Sequence, residues 1–256
     1  MTYCIGMLLD GGLVLMADTR TNAGVDNFSC YKKLHTLANG GDRYIFAATS
    51  GSLSVTQSVV GLLDEGLPGH DGSDGIRHLD SVPSMFRAAQ LVGEAVQTVR
   101  AIMEPALSRQ DVNSNVSLLL GGRVGTEQPR LFLIYSAGNF IECQPESPFF
   151  QIGETKYGRP ILDRGVNWST PLPLAVKIAF LSFDSTMRSN LGVARPIDLV
   201  VLPADTRAPL LTRRIQADDE YFNTLSMDWA QALAKAALAI PNPPFMEGFD
   251  APDSSA

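Results

Sequence analysis

Thr2-Tyr3-Cys4-Ile5-Gly6-Met7-Leu8-Leu9, then Asp10-Gly11-Gly12, then Leu13-Val14-Leu15-Met16-Ala17-Asp18-Thr19 reads as a β-hairpin, two short and mostly apolar strands around a strong turn signal. Outward from it, residues 33–37 and 44–48 read as two more strands, with Asn39-Gly40-Gly41-Asp42 as their turn. After Gly51 the period changes: Leu53, Val59, Val60, Leu62 and Leu63 fit a helical face that stops before Gly66 and Pro68. Residues 69–75 are polar and read as a surface loop. A second helix is expected over 84–103, where Met85, Leu91, Val92, Val96, Val99 and Ile102 recur at helical spacing. Strands follow at 116–120, 131–135, 140–143 and 149–152, helices at 157–163 and 174–189, a strand at 198–202 and an Ala-rich helix at 219–239. Strands, then helices, then strands, then helices predict an α+β fold with helices covering mostly antiparallel sheets. No repeat or linker divides residues 1–240, which read as one domain. The proline-containing stretch 241–256 reads as loop, arm or disorder.

The chain has 256 residues and a formal net charge of −7, with a hydrophobic fraction of 45% and a charged fraction of 18%. This is globular composition and excludes a wholly disordered chain. The acidic balance argues against a nucleic-acid or anionic-membrane surface as the main business. Three cysteines, Cys4, Cys30 and Cys143, do not make a disulfide framework and point to a reducing compartment. The start carries no basic and apolar leader pattern, and no run of about 18 apolar residues could span a membrane. A cytoplasmic protein is expected. His35, His70 and His78 lack metal-ligand spacing, so no metal is expected. No phosphate-binding Gly-rich loop ending in Lys-Ser/Thr is present, so any unfolding driven by ATP would need a separate protein.

Thr2 is the residue with chemical promise. Threonine is small enough for Met1 to be removed by ordinary processing, which leaves Thr2 with a free α-amine. A terminal amine has a reference pKa of about 7.7–8.0. Near neutral pH a good fraction is therefore uncharged and can accept the proton of the hydroxyl as it attacks.

Thr2-Tyr3-Cys4-Ile5-Gly6, Gly12 to Arg20 with its Ala17-Asp18 pair, Lys33-Leu34-His35-Thr36-Leu37 and Ala47-Ala48-Thr49-Ser50-Gly51 together resemble the start of a proteasome β-type subunit. The wording Met16-Ala17-Asp18-Thr19-Arg20-Thr21-Asn22-Ala23-Gly24-Val25-Asp26, with Ser185-Thr186-Met187-Arg188-Ser189-Asn190 later, is similar to the bacterial Anbu branch of that superfamily. The resemblance implies a four-layer αββα sandwich of the N-terminal nucleophile hydrolase type. It implies that Thr2 Oγ attacks a peptide carbonyl, that Lys33 supplies positive charge, that Asp18 holds Lys33, and that the Gly51 N–H donates to the oxyanion. Lys32 is the adjacent competitor for the lysine role, and the Leu after Lys33 favours Lys33. No cofactor is implied.

The hairpin supplies a geometric test. With Asp10-Gly11-Gly12 as a three-residue loop, Leu9 faces Leu13, and Thr2 and Asp18 become diagonal neighbours on one face, about 7–8 Å apart. A two-residue turn would place Asp18 on the other face. The catalytic reading therefore predicts the longer loop. Departures from the proteasome pattern lie further along. Where a Gly-Ser-Gly turn is usual, the chain reads Ile152-Gly153-Glu154-Thr155-Lys156, and the later support is blurred into 184–190, leaving Asp184 and Ser189 as candidate supports for the Thr2 amine.

The sequence therefore points to a self-assembling threonine peptidase that cleaves peptide bonds in peptides or unfolded proteins. Two alternatives stay open: a catalytically silent scaffold, and an amidase for small amides. The resemblance also implies assembly of many copies into a ring or an open helical turn, and the helix at 84–103 supports a neighbouring subunit, since its apolar residues cover a band wider than one core-facing stripe needs.

Overall fold

Burial on both faces is what makes the first hairpin so apolar. In the computed structural model, which describes residues 2–22, 28–69, 75–246 and 249, β1 (Tyr3–Leu9) and β2 (Gly12–Asp18) are buried at every position. The following strands are β3 (Arg20–Asn22), β4 (Phe28–Cys30), β5 (Leu34–Gly40), β6 (Arg43–Gly51), β7 (Leu67–Pro68) and β8 (Ile76–Arg77). The later ones are β9 (Val116–Val124), β10 (Arg130–Ile134), β11 (Phe140–Glu142), β12 (Phe149–Gly153), β13 (Ile197–Pro203) and β14 (Leu211–Ile215). The helices are α1 (Leu53–Glu65), α2 (Met85–Ser108), α3 (Arg159–Gly165), α4 (Leu172–Ser189) and α5 (Glu220–Ala239).

Two five-stranded antiparallel sheets carry the fold, ordered β12-β1-β2-β13-β14 and β11-β10-β9-β6-β5. Alternation along β6 shows how they are clothed. Phe46 and Ala48 turn inward to meet Leu13, Leu15 and Ala17 of the other sheet, whereas Ile45 and Ala47 turn outward into a core shared with α1 and α2. On the far side α4 packs against β1 and β2, and α3 packs against α4. The layers are thus helices, sheet, sheet, helices, the αββα sandwich. Each large side chain fully buried in these cores, such as Phe46 or Phe183, contributes about 1.5–3 kcal/mol. By contacts the chain separates into two units, Met1–Ala217 and Asp218–Ala256. The sandwich lies in the first. The second holds α5, whose N-cap Asp219 accepts from the Phe222 amide, and a short 3₁₀ turn at Pro244–Met246.

Three expectations change. Leu9 pairs with Gly12, so the turn is the two residues Asp10 and Gly11 and the register is one residue shorter than expected, with Cys4 opposite Ala17. Asp18, one residue beyond the last β1–β2 pair, nevertheless reaches Lys33 and the Tyr3 amide, as described below. The wide apolar band of α2 is covered within the chain, by β9, β10 and α1 together; only Phe86 and Ile102 of its large apolar residues stand exposed. Third, β3, β4, β7, β8 and β14 add short or largely exposed strands to those expected. The expected loop at 69–75 falls mostly outside the described residues, as do Met1 and most of the stretch beyond 246.

Candidate active site

Asp18 closes β2. Its backbone pairs with Ile197 of β13, and its side chain is fully buried. Oδ1 accepts two bonds, one from Lys33 Nζ at 2.9 Å and one from the Tyr3 amide at 2.9 Å. Burial raises the Asp18 carboxyl above its ordinary pKa, while the Lys33 charge and the Tyr3 amide pull it down. Oδ2 is buried and unpartnered among the described residues.

Lys33 immediately precedes β5 and is 4% exposed. Its carbonyl accepts from the Thr49 amide at 2.9 Å, which fixes the backbone, and Nζ also donates to the Arg20 carbonyl. A lone ammonium could not be buried at this cost; paired with Asp18 it can be. Lys32 is exposed and lines a groove with Thr36, Asp198 and Arg214. The two adjacent lysines therefore differ in surroundings, Lys32 in water and Lys33 buried, and Lys33 is the one that meets Asp18.

Thr2 is nearly buried, 8% exposed. Its carbonyl accepts from the Glu154 amide at 2.7 Å, just past the Tyr3–Gly153 pair of β1 and β12. Gly153 has φ 84°, and a Cβ there would lie 2.0 Å from the Thr2 oxygen and 3.3 Å from Ser50 Oγ. Only glycine fits that approach. Gly51, the last residue of β6, has φ 109°, and a Cβ there would meet the Asn115 oxygen at 2.1 Å. The two sheets converge here, since Cys4 Sγ of β1 donates to the Thr49 carbonyl of β6 at 3.7 Å. Thr2, Asp18, Lys33 and Gly51 thus belong to strand ends gathered at one end of the sandwich.

The remaining candidates are placed differently. Asp184 is buried in α4 and accepts from Arg188 Nε at 3.0 Å, one turn along its own helix. Ser189 is exposed at the last position of α4. Glu154 instead reaches Asn190, whose Nδ2 donates to Glu154 Oε2 at 3.0 Å. Burial pushes the Cys4 thiol up, and Asp18 adds to the effect, so Cys4 is a packing residue. Among the described residues no cluster of three or more His, Cys, Asp or Glu side chains could hold a metal. No described helix is long and apolar enough to cross a membrane.

Sequence reasoning passed over Tyr3, Gln151 and Ser182. The Tyr3 hydroxyl lies 2.6 Å from Ser182 Oγ and 2.5 Å from Gln151 Nε2. The available signal was a tyrosine in an otherwise apolar strand, with Ser182 and Thr186 one turn apart on an apolar helix.

No family model and no curated protein matches the chain. Solved structures do. An Anbu variant from Hyphomicrobium sp. strain MC1 is 46% identical, with 95% of this chain and 99% of that one covered and a TM-score of 0.86. Anbu from Yersinia bercovieri, described as an ancestral β-subunit, is 39% identical, with 94% and 99% covered and a TM-score of 0.83. Anbu from Pseudomonas aeruginosa, solved as a helical assembly, is 38% identical, with 94% and 98% covered and a TM-score of 0.84.

Proposed function

The chain belongs to the Anbu family of proteasome β-subunit relatives, and from that premise we propose that it is a threonine peptidase whose nucleophile is Thr2, freed by removal of Met1. The observation that carries the reading is the buried Asp18–Lys33 pair, joined by one hydrogen bond to the amide that follows Thr2. In this mechanism the Thr2 hydroxyl attacks the peptide carbonyl and its α-amine takes the proton. Lys33 supplies a fixed positive charge that favours the developing alkoxide and keeps the amine neutral. The Gly51 N–H donates to the oxyanion. The amine returns the proton to the leaving group, and water then hydrolyses the acyl-enzyme ester.

The substrate class is peptide or unfolded protein, and a separate protein would supply any unfolding. The working form is a homo-oligomer, either a ring or an open helical turn, and the helical assembly of the Pseudomonas aeruginosa relative supports this. The cytoplasm is the proposed location. One feature favours a silent scaffold instead: Glu154 stands where the proteasome pattern has a supporting serine, and its carboxylate is engaged by Asn190. Intact mass separates the readings. A chain lacking Met1 that gains the mass of one peptide β-lactone, and loses that reactivity in Thr2→Ala, is a threonine hydrolase. A processed chain that gains nothing is a scaffold.

A further inference from the structure

The peptide unit between Thr2 and Tyr3 is held at both of its polar ends. Its oxygen accepts from the Glu154 amide at 2.7 Å, and its N–H donates to Asp18 Oδ1 at 2.9 Å. Because a peptide unit is planar and rigid, two such bonds fix the plane and leave rotation about the Tyr3 Cα as the remaining freedom. The Tyr3 side chain removes it. The ring is fully buried, with its centroid 4.7 Å from that of Phe183, and the hydroxyl enters a chain of hydrogen bonds whose direction follows from counting protons. Ser182 has one hydroxyl proton and donates it to the Gly158 carbonyl at 2.9 Å. Ser182 Oγ must therefore accept from Tyr3, which in turn accepts from Gln151 Nε2. The chain runs from β12 through β1 and α4 to the N-cap of α3. Burial pushes the Tyr3 phenol up to about 12, so the donor proton stays in place. The packing has no slack, since a Cβ at Gly158 would lie 2.3 Å from both the Tyr3 and Ser182 hydroxyl oxygens.

We propose that Tyr3 is a positioning residue for Thr2: its amide ties the nucleophile's backbone to the Asp18–Lys33 pair while its phenol pins the same residue to α4. This rests on the reading of Thr2 as nucleophile. The two anchors come from different elements, so loss of the phenol's bond lets the start of β1 shift relative to Lys33 even when Asp18 keeps the amide. Small displacements of a nucleophile are costly because the attack geometry is narrow.

The test uses the full chain with Met1 removed, confirmed by mass, and a peptide β-lactone as probe. Acylation of Thr2 is followed by intact mass as a function of probe concentration. Tyr3→Phe keeps the ring and removes the hydroxyl. The maximal acylation rate should fall about tenfold, with the half-saturating concentration unchanged. Hydrogen exchange of residues 3–9 should quicken while that of residues 116–124 stays as it was. Ser182→Ala, which withdraws the acceptor of the Tyr3 proton without touching the strand, should reproduce both changes and serves alone if Tyr3→Phe does not fold. Wild-type rates in both variants would overturn the positioning role while leaving Thr2 as nucleophile. A rise in the half-saturating concentration with an unchanged maximal rate would also overturn it, since that places the effect in probe binding. A processed wild-type chain that never gains the probe's mass defeats the nucleophile reading and the positioning role with it.

Discussion

Lys33 Nζ lies 2.9 Å from Asp18 Oδ1 with both side chains withdrawn from water, one at the end of β2 and the other just ahead of β5. The pair bridges the two sheets of the sandwich at the end where Thr2 sits. Breaking such a pair from one side leaves an uncompensated buried charge, which costs about 3–5 kcal/mol. Lys33→Ala should therefore lower the urea midpoint strongly as well as abolish acylation. Lys32→Ala, at an exposed position, should change stability by less than about 0.5 kcal/mol and keep most of the activity. Denaturant melts of the two variants side by side check this, and equal melts would remove the pair from the argument.

Thr2→Ala should abolish hydrolysis and probe labelling while leaving the fold intact. Thr2 contributes its backbone carbonyl to the Glu154 amide, and alanine keeps that bond. The variant's melting curve should therefore stay close to the wild type. Labelling that persists at the wild-type rate would assign the nucleophile elsewhere.

Three buried groups give the fold a shared alkaline weakness. Burial raises the thiols of Cys4 and Cys143, the latter to about 12, and raises the Tyr3 phenol to about 12. Each group stays protonated in the fold at a pH where the unfolded chain has begun to release its proton. The unfolded state then binds fewer protons than the native one, so stability falls as pH rises. The contribution is complete below the ordinary thiol pKa of about 8.5 and is lost progressively from there towards about 12. Urea midpoints should be flat from about pH 7 to 8 and decline through pH 9 to 11. Cys143→Ala should make the decline shallower. A midpoint that rises over that range would contradict the burial of these groups.

Much of this architecture was legible because burial is periodic. The unbroken apolar runs of β1 and β2 and the helical spacing in α1, α2 and α4 all mark faces that meet a core. What escaped notice lacks such a face. In β14, Leu211, Thr212, Arg213 and Arg214 are exposed and only Ile215 is buried, so its composition resembles a loop. The hairpin register departs from the expected one because Gly12, with φ 139°, pairs with Leu9 as part of the strand and does not belong to the turn. Asp18 nevertheless meets Lys33, whose ammonium also reaches the Arg20 carbonyl just past the end of β2. That Lys33, and not Lys32, is the lysine buried against Asp18 agrees with the expectation drawn from one neighbouring leucine. The Tyr3–Ser182 contact spans 179 residues of chain, and no local pattern encodes such a pairing.

Assembly is the remaining expectation, and the structure changes its grounds. The α2 band that suggested a neighbour is mostly covered by β9, β10 and α1. A denser set of uncovered apolar residues lies at the end of α5 and after it, where Leu238 is 87% exposed, Ile240 68% and Phe245 80%. Three large apolar side chains exposed within eight residues are unfavourable in water, and a second copy of the chain is the covering that the proposed oligomer supplies. Whether copies close into a ring or continue as a helix depends on the rotation between neighbours. Light scattering should show a particle several times the 27.6 kDa chain. Ile240→Asp combined with Phe245→Asp should shift it towards the single chain without altering the melting of the sandwich. A particle of undiminished size in that double variant would move the contact to another surface, and a wild-type monomer would remove assembly from the reading altogether.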